Sequence, residues 1–283
     1  MAGMLYLVPT PIGNLGDISD RCRRTLEEAD FIAAEDTRVS LKLLNHLGIR
    51  KSLVSYYEHN KTFKGQAIVD RILAGETCAL VSDAGSPAIS DPGEDLVKQC
   101  AEAGITVCAI PGPCAVITAL SISGQATGRF CFEGFLSTAK KSRQAHLDSL
   151  RKEQRTMIFY EAPHKLVNTL QDLAGAFGSD RPISLCRELT KLHEEVVRTT
   201  LPGKPSLAGA CWAQTEDPSG CGAASPSQGR WDPDSLRSSG RPSHRLGMQP
   251  WALSLPDKEL CLREALAVCT PPVPEPSAKR PGS

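Results

Sequence analysis

The 283-residue chain is long enough for one large domain or two smaller ones, with a sizeable core. Its 32 basic and 32 acidic side chains cancel, which excludes a global basic field as the grip on nucleic acid and leaves that role to a local basic face. No run approaches the ~18 apolar residues of a membrane span, the N-terminus lacks a basic leader, and the 11 cysteines show no zinc spacing, so a cytoplasmic protein without a structural metal is expected.

In chain order, a strand-like run at Met4–Val8 precedes a helix near Ile18–Ala29, where Ile18, Cys22, Leu26 and Ala29 recur at helical spacing. A strand at Phe31–Ala34, a helix at Ser40–Leu47, a strand at Ser52–Tyr57 and a helix at Phe63–Ala74 follow. Then come a strand at Cys78–Ser82, a helix at Glu94–Ala103 that stops at Gly104, and a strand at Thr106–Ile110. Alternating β and α with nearly continuous apolar strands predicts an α/β fold with a parallel sheet covered on both faces. Cys78, Cys108, Cys131 and Cys186 sit inside such runs, where a thiol behaves as a small hydrophobe.

Pro111-Gly112-Pro113 breaks the pattern, and a helix at Ala115–Ser123 opens a second set. It comprises strands at Phe130–Phe132, Thr156–Tyr160 and Ile183–Arg187 with helices at Arg143–Gln154 and His164–Phe177. The domain boundary falls between Pro113 and Gly128, giving an N-terminal domain 1–115 and a C-terminal domain 116–201 with a cleft between them, a usual ligand position. Beyond Leu201 the character changes: 13 of the 21 prolines and all 3 tryptophans fall in the last 83 residues. Only a weak helix near Leu260–Val268 is expected there, in a tail 202–283 otherwise too poor in apolar periodicity to order itself.

Three loops leave the carboxyl ends of strands, where open parallel sheets collect ligands: PTPIGN (Pro9–Asn14), SDAGSPAISDPG (Ser82–Gly93) and PGPCA (Pro111–Ala115). Each mixes Pro, which fixes φ, with Gly, which admits close approach, so each presents pre-aimed backbone groups. No GxGxxG follows the first strand and no GxxxxGK[ST] occurs, so dinucleotides and P-loop nucleotides lack support. Asp83 and Asp91 supply negative charge where a phosphate cradle would gather Lys and Arg, which suits a ligand with cationic groups.

These loops occur in order with AEDTR (Ala34–Arg38), YEHN (Tyr57–Asn60), EGFL (Glu133–Leu136), YEAPH (Tyr160–His164) and RELTKLHEE (Arg187–Glu195). The set resembles the bacterial ribosomal RNA small subunit methyltransferase I family of the tetrapyrrole methylase superfamily, over about Met4 to Thr200. The resemblance implies a two-domain tetrapyrrole-methylase-like fold, S-adenosylmethionine as donor, and a cytidine 2′-hydroxyl of 16S rRNA in the 30S subunit as acceptor. It also implies a homodimer. Methylation of a tetrapyrrole or another small acceptor is the rival within the superfamily, although AEDTR, YEHN and YEAPH favour the rRNA branch. Binding of donor or RNA without turnover is a rival of another class.

Carried over position by position, the resemblance puts donor contacts at Pro9, at Asp83, Ala84, Gly85 and Ser86, at Cys114 and Ala115, and at Tyr160 and Ala162. Cys114 is equally open to simple packing between strand and helix. A ribose hydroxyl is a poor nucleophile at neutral pH, so transfer calls for alignment and a base. Candidate bases are His59, Glu161, Asp36, Glu188 and Glu35, each acidic one equally open to a salt bridge. His59 has the ordinary pKa best suited to proton transfer at neutral pH. Arg38, Lys61, Lys140, Lys141, Arg143, Arg187 and Lys191 are candidate RNA contacts, with TAKKSR (Thr138–Arg143) also open to being a solvated face.

The resemblance stops at about Pro202, where the family continues with a helix and a strand of the kind GEFVLVI. With a natural low-complexity tail as the alternative, the abrupt change in composition is read as a shifted reading frame. On that view the second domain is truncated and its sheet lacks a strand, with an unpaired edge.

Overall fold

The computed structural model describes residues 3–58, 61–201 and 265–269. Its first sheet is built from β1 (Met4–Leu7), β2 (Phe31–Ala34), β3 (Ser52–Ser55), β4 (Cys78–Val81) and β5 (Thr106–Ala109), all parallel, in the order β3-β2-β4-β1-β5. The helices between them are α1 (Asp20–Glu28), α2 (Thr37–Leu47), α3 (Lys61–Leu73) and α4 (Glu94–Glu102). Ser19 caps α1 by accepting from the Cys22 amide, and Asp36 caps α2 by accepting from the Arg38 amide, so each helix starts where its first free N–H groups find an acceptor.

Every residue of β2 and β4 is buried, because helices cover both faces. Leu5, Phe31, Leu80, Ile68, Ile72 and Leu96 form the core under α3 and α4, and Ile32, Val81, Leu26 and Leu44 form the core under α1 and α2. Each such side chain contributes about 1.5–3 kcal/mol by leaving water. Burial pushes the Cys78 thiol up to about 12 and the Cys186 thiol to about 11, so both are protonated core groups.

The second sheet runs β6 (Phe130–Phe135), β7 (Thr156–Glu161), β10 (Ala265–Cys269), β8 (Pro182–Arg187), β9 (Glu195–Thr200). β6 and β7 are parallel, β10 is antiparallel to both its neighbours, and β8 and β9 are antiparallel. Helix α5 (Ala115–Ser123) packs on one face through Val116, Ala119 and Leu120 against Ile158, Tyr160, Cys186 and Val268. Helices α6 (Lys140–Ser149) and α7 (Leu166–Phe177) cover the other through Leu147, Leu170 and Leu173. α6 starts at Lys140 and ends by Leu150, earlier than the Arg143–Gln154 span predicted from the apolar pattern. Its close is marked by the Leu150 amide returning to the Leu147 carbonyl at 3.1 Å.

Two expectations for the tail are corrected here. The described part of the segment predicted as a weak helix is a strand, and it occupies the centre of the sheet predicted to lack one. β7 and β8 run in the same direction and present facing hydrogen-bonding edges, and β10 pairs with each over five residues. Ala267, Val268 and Cys269 are fully buried, and a continuous apolar run suits a strand covered on both faces. A short isolated helix with no partner is marginal by comparison. The expected disorder of the rest of 202–283 falls on residues outside those described. Among the described residues no helix is long and apolar enough to cross a membrane.

Candidate active site

The order β4-β1-β5 brings the three loops off adjacent strands, with PTPIGN in the middle, the 82–93 loop on one side and PGPCA on the other. AEDTR leaves β2, the next strand out. Main-chain bonds lock the edge: the amides of Thr10 and Gly85 donate to each other's carbonyls at 2.9 and 3.0 Å. Thr10 Oγ1 donates to the Ser82 carbonyl at 3.2 Å, and Ser86 Oγ donates to the Pro113 carbonyl at 3.1 Å. At Gly112 a Cβ would lie 2.8 Å from Pro9 Cβ, so PGPCA and PTPIGN touch backbone to ring. At Gly13 a Cβ would lie 2.6 Å from Lys191 Cγ and 2.9 Å from the Leu189 carbonyl, so the RELTK turn of the second unit sits directly on the first. Leu189 buries against Ile12 at the same seam.

Four non-glycine residues hold positive φ among the described residues: Ala88 (70°) and Ser90 (61°) in the 82–93 loop, Glu188 (52°) and Thr190 (64°) in the RELTK turn. Each conformation costs on the order of 1 kcal/mol or more and persists only where surrounding packing enforces it. Among the described residues this strain is therefore confined to the 82–93 loop and to the RELTK turn that packs on PTPIGN.

A cleft open to solvent lies between the units. Ala84, Gly85 and Ser86 floor it, Cys114 and Ala115 form one side, and Tyr160 closes it from β7. Phe132 and Phe135 set Tyr160 by edge-to-face contacts at 4.9 and 5.4 Å between ring centroids. Six of the nine donor positions carried over from the family thus line one cavity. Pro9 is buried beneath it against Gly112, Asp83 faces a neighbouring cleft, and Ala162 lies just beyond the end of β7. Asp91, read from the sequence as negative charge for a cationic ligand, also lines the cavity, as do Ile89, Ser90 and Phe135, for which the sequence reading gives no role. Their motifs were legible, but which members of a loop face inward is set by its left-handed turns.

The acidic groups share one neighbourhood. Burial lifts the Glu35 carboxyl to about 7, with further contributions from Asp91 and Asp83. Burial lifts Asp91 to about 6 despite a hydrogen bond from Ser82, and burial also raises Asp83. Crowded, half-buried carboxyls are most relieved by a neighbouring cation.

The other acid–base candidates are placed in structural roles. Asp36 is held at about 2 chiefly by Arg38, which it meets at 2.6 Å while capping α2. Alternation along β7 turns Tyr160 to the cleft and Glu161 to the opposite face. There Glu161 is 3% exposed, accepts from Thr169 Oγ1 and from the Ala162 amide, and lies 3.9 Å from Arg143. Glu188 pairs with Lys191 at 3.0 Å. His59 lies outside the described residues.

Among the basic candidates, Arg143 is largely buried, bound to Asp172 at 2.6 Å and to Thr169, so its charge is spent inside the fold. Arg187 pairs with Glu195. Lys140 and Lys141 are exposed in the first turn of α6, Arg38 is exposed beside Asp36, and Lys61 is the first residue of α3.

Residues 4–204 match the tetrapyrrole (corrin/porphyrin) methylases. Uroporphyrin-III-C-methyltransferase from Thermus thermophilus superposes with a TM-score of 0.54 at 16% identity, covering 95% of this chain and 94% of that one. Another structure of uroporphyrin-III C-methyltransferase from that organism, complexed with S-adenosyl homocysteine, superposes at 0.51 and 17% identity, over 70% and 89%. Two α/β units closing on a loop-floored cleft thus define a methylase of the tetrapyrrole class. Ribosomal RNA small subunit methyltransferase I of Synechocystis sp. is 54% identical over 199 residues, 70% of this chain and 71% of that protein. The protein of the same name from Haemophilus influenzae is 49% identical over 201 residues, 71% of each. The chain belongs to the ribosomal RNA small subunit methyltransferase I family of the tetrapyrrole methylases.

Proposed function

We propose that this chain transfers a methyl group from S-adenosylmethionine to the 2′-hydroxyl of a cytidine in 16S rRNA, acting in the cytoplasm as a homodimer on the 30S subunit. The observation that carries the reading is the convergence of Ala84–Ser86, Cys114–Ala115 and Tyr160 on one cleft, in a chain 54% identical to a small-subunit rRNA methyltransferase. The residues fit the donor: Asp91 lines the cleft and its burial-raised carboxyl gains from a cation beside it. Bound there, the sulfonium donor supplies an electrophilic methyl group and leaves as a neutral thioether, so no metal is demanded.

The chain's own work is positioning and proton removal. The Thr10–Gly85 bridge and the Gly112–Pro9 contact fix the loop edges before ligand arrives, which lowers the ordering cost of binding. Tyr160, wedged between two phenylalanines, keeps water from one side of the cleft. Glu35, with a carboxyl near 7, accepts the hydroxyl proton at neutral pH better than an ordinary carboxylate. Lys140, Lys141 and Arg38 offer exposed charge to RNA phosphates.

Labelled donor incubated with 30S subunits or with a porphyrinoid tests the reading. Label in 16S rRNA at a cytidine ribose supports it, and label in the porphyrinoid alone overturns it. One observation favours a second reading, binding without turnover: the central strand β10 comes from the atypical tail. That tail we assign to a shifted reading frame, and coding DNA in which no one-base correction near codon 201 restores a GEFVLV-type strand would sink the assignment.

A further inference from the structure

A second, narrower cleft, open to solvent, lies on the far side of the Thr10–Gly85 bridge. Pro11, Leu15, Val39 and Leu43 make it an apolar slot, and Ser40 and Asp83 are its polar side chains other than Thr10 and Ser82, which are tied into the bridge. Ser40 is 4% exposed, yet its hydroxyl has no hydrogen-bond partner among the described residues. A helical serine usually returns its hydroxyl to the carbonyl four residues back. Here the Asp36 carbonyl receives only the Ser40 amide, at 3.0 Å. Leaving a buried hydroxyl unmatched costs about 1–3 kcal/mol, which a ligand acceptor would return. Asp83 accepts the Asp36 amide on Oδ1 at 3.1 Å, and Oδ2 makes no hydrogen bond among the described residues.

An apolar slot bearing one carboxylate acceptor and one unmatched hydroxyl, with no cation among the described residues of its lining, disfavours phosphate and suits a flat heterocycle carrying an amino group. We propose that this cleft receives the acceptor's nucleobase, a cytosine, with Asp83 accepting from the exocyclic amino group and Ser40 donating to the ring carbonyl. Carboxylate to cytosine amine is a standard base-edge pairing, and uracil would set a carbonyl against the carboxylate instead. Extracting the base from its stack also exposes its ribose. Ser82 and Asp83 line this cleft and the next residues, Ala84–Ser86, line the other, so on this proposal a nucleotide held by its base here extends its ribose towards the methyl donor. This inference rests on the ribose methyltransferase reading.

The test uses the full chain with Ser40→Ala and Asp83→Asn, saturated with S-adenosylhomocysteine. The probes are a single-stranded oligouridine and the same oligomer with one central cytidine. Ser40→Ala is expected to leave the melting temperature unchanged or raised, since it removes an unmatched hydroxyl, and to leave S-adenosylhomocysteine affinity unchanged. It should weaken the cytidine oligomer about fivefold, the equivalent of one hydrogen bond. Asp83→Asn, whose amide donates to a carbonyl, should cut the preference for cytidine over uridine about tenfold. A Ser40→Ala chain that binds the cytidine oligomer as tightly as the parent overturns the proposal, as does unchanged discrimination in Asp83→Asn. This binding arm needs no turnover. A parent chain that discriminates cytidine yet methylates no 30S subunit would overturn the proposed function and leave the pocket standing.

Discussion

Val268→Ala isolates the contribution of the tail strand to the fold. Val268 is fully buried between Ile158 of β7 and Ser184 of β8 and packs in the cluster formed by α5. Two methyl groups at about 0.8 kcal/mol each give about 1.6 kcal/mol of lost transfer energy. A central strand clamped on both edges relaxes little, and the residual cavity raises the cost to about 2 kcal/mol. At about 2–4 °C per kcal/mol for a body of this size, the melting temperature should fall by about 4–8 °C. Differential scanning calorimetry against Leu192→Ala, a truncation at a side chain 75% exposed, provides the scale. A Val268→Ala melt that coincides with the Leu192→Ala melt would show that β10 does not bear on the core, and would refute the reasoning.

Three further perturbations probe the site. Gly112→Ala drives a Cβ to 2.8 Å from Pro9 Cβ, and neither group can rotate away. It should cost about 1–3 kcal/mol in overpacking and weaken S-adenosylhomocysteine in calorimetry by more than tenfold, with full affinity counting against the loop contact. Glu35, raised to about 7, binds its proton in the folded chain at pH values where the unfolded chain has released it. Stability should therefore rise as pH falls from about 7 towards 4.5, and Glu35→Gln should raise the melting temperature at pH 8 and flatten that slope. Arg143→Ala leaves Glu161 buried without its cation and should cost about 3 kcal/mol in urea unfolding. By contrast Lys140→Ala should leave the unfolding midpoint unmoved.

Most of the first unit was legible because its strands are apolar runs punctuated by Gly and Pro, and because ligand loops in a parallel sheet sit at strand ends. What periodicity could not supply was orientation. Tyr160 and Glu161 are adjacent in one motif, and only the register of β7 sends one to the cleft and the other to Thr169 and Arg143. Arg143 looked like one more cation of a basic patch, whereas the early start of α6 at Lys140 turns it inward, to within 2.6 Å of Asp172. Ser40 carried no signal at all, because an unmatched hydroxyl exists only once the helix is packed.

β10 marks the largest departure, and its place decides more than stability. Val268 belongs to the same cluster as Tyr160 and Ala115, two walls of the cleft proposed to hold the donor, so the tail strand supports that cleft from behind. A chain ending at Leu201 should then lose both its cooperative melt and its affinity for S-adenosylhomocysteine, because β7 and β8 would face each other with unpaired edges. A synthetic peptide carrying ALAVC and its flanks, added to the truncated chain, should recover part of both through strand addition. If the truncated chain instead melts at the same temperature as the full chain and binds the donor analogue equally well, the second sheet closes without the tail. The cleft between the units would then be a property of residues 4–201 alone.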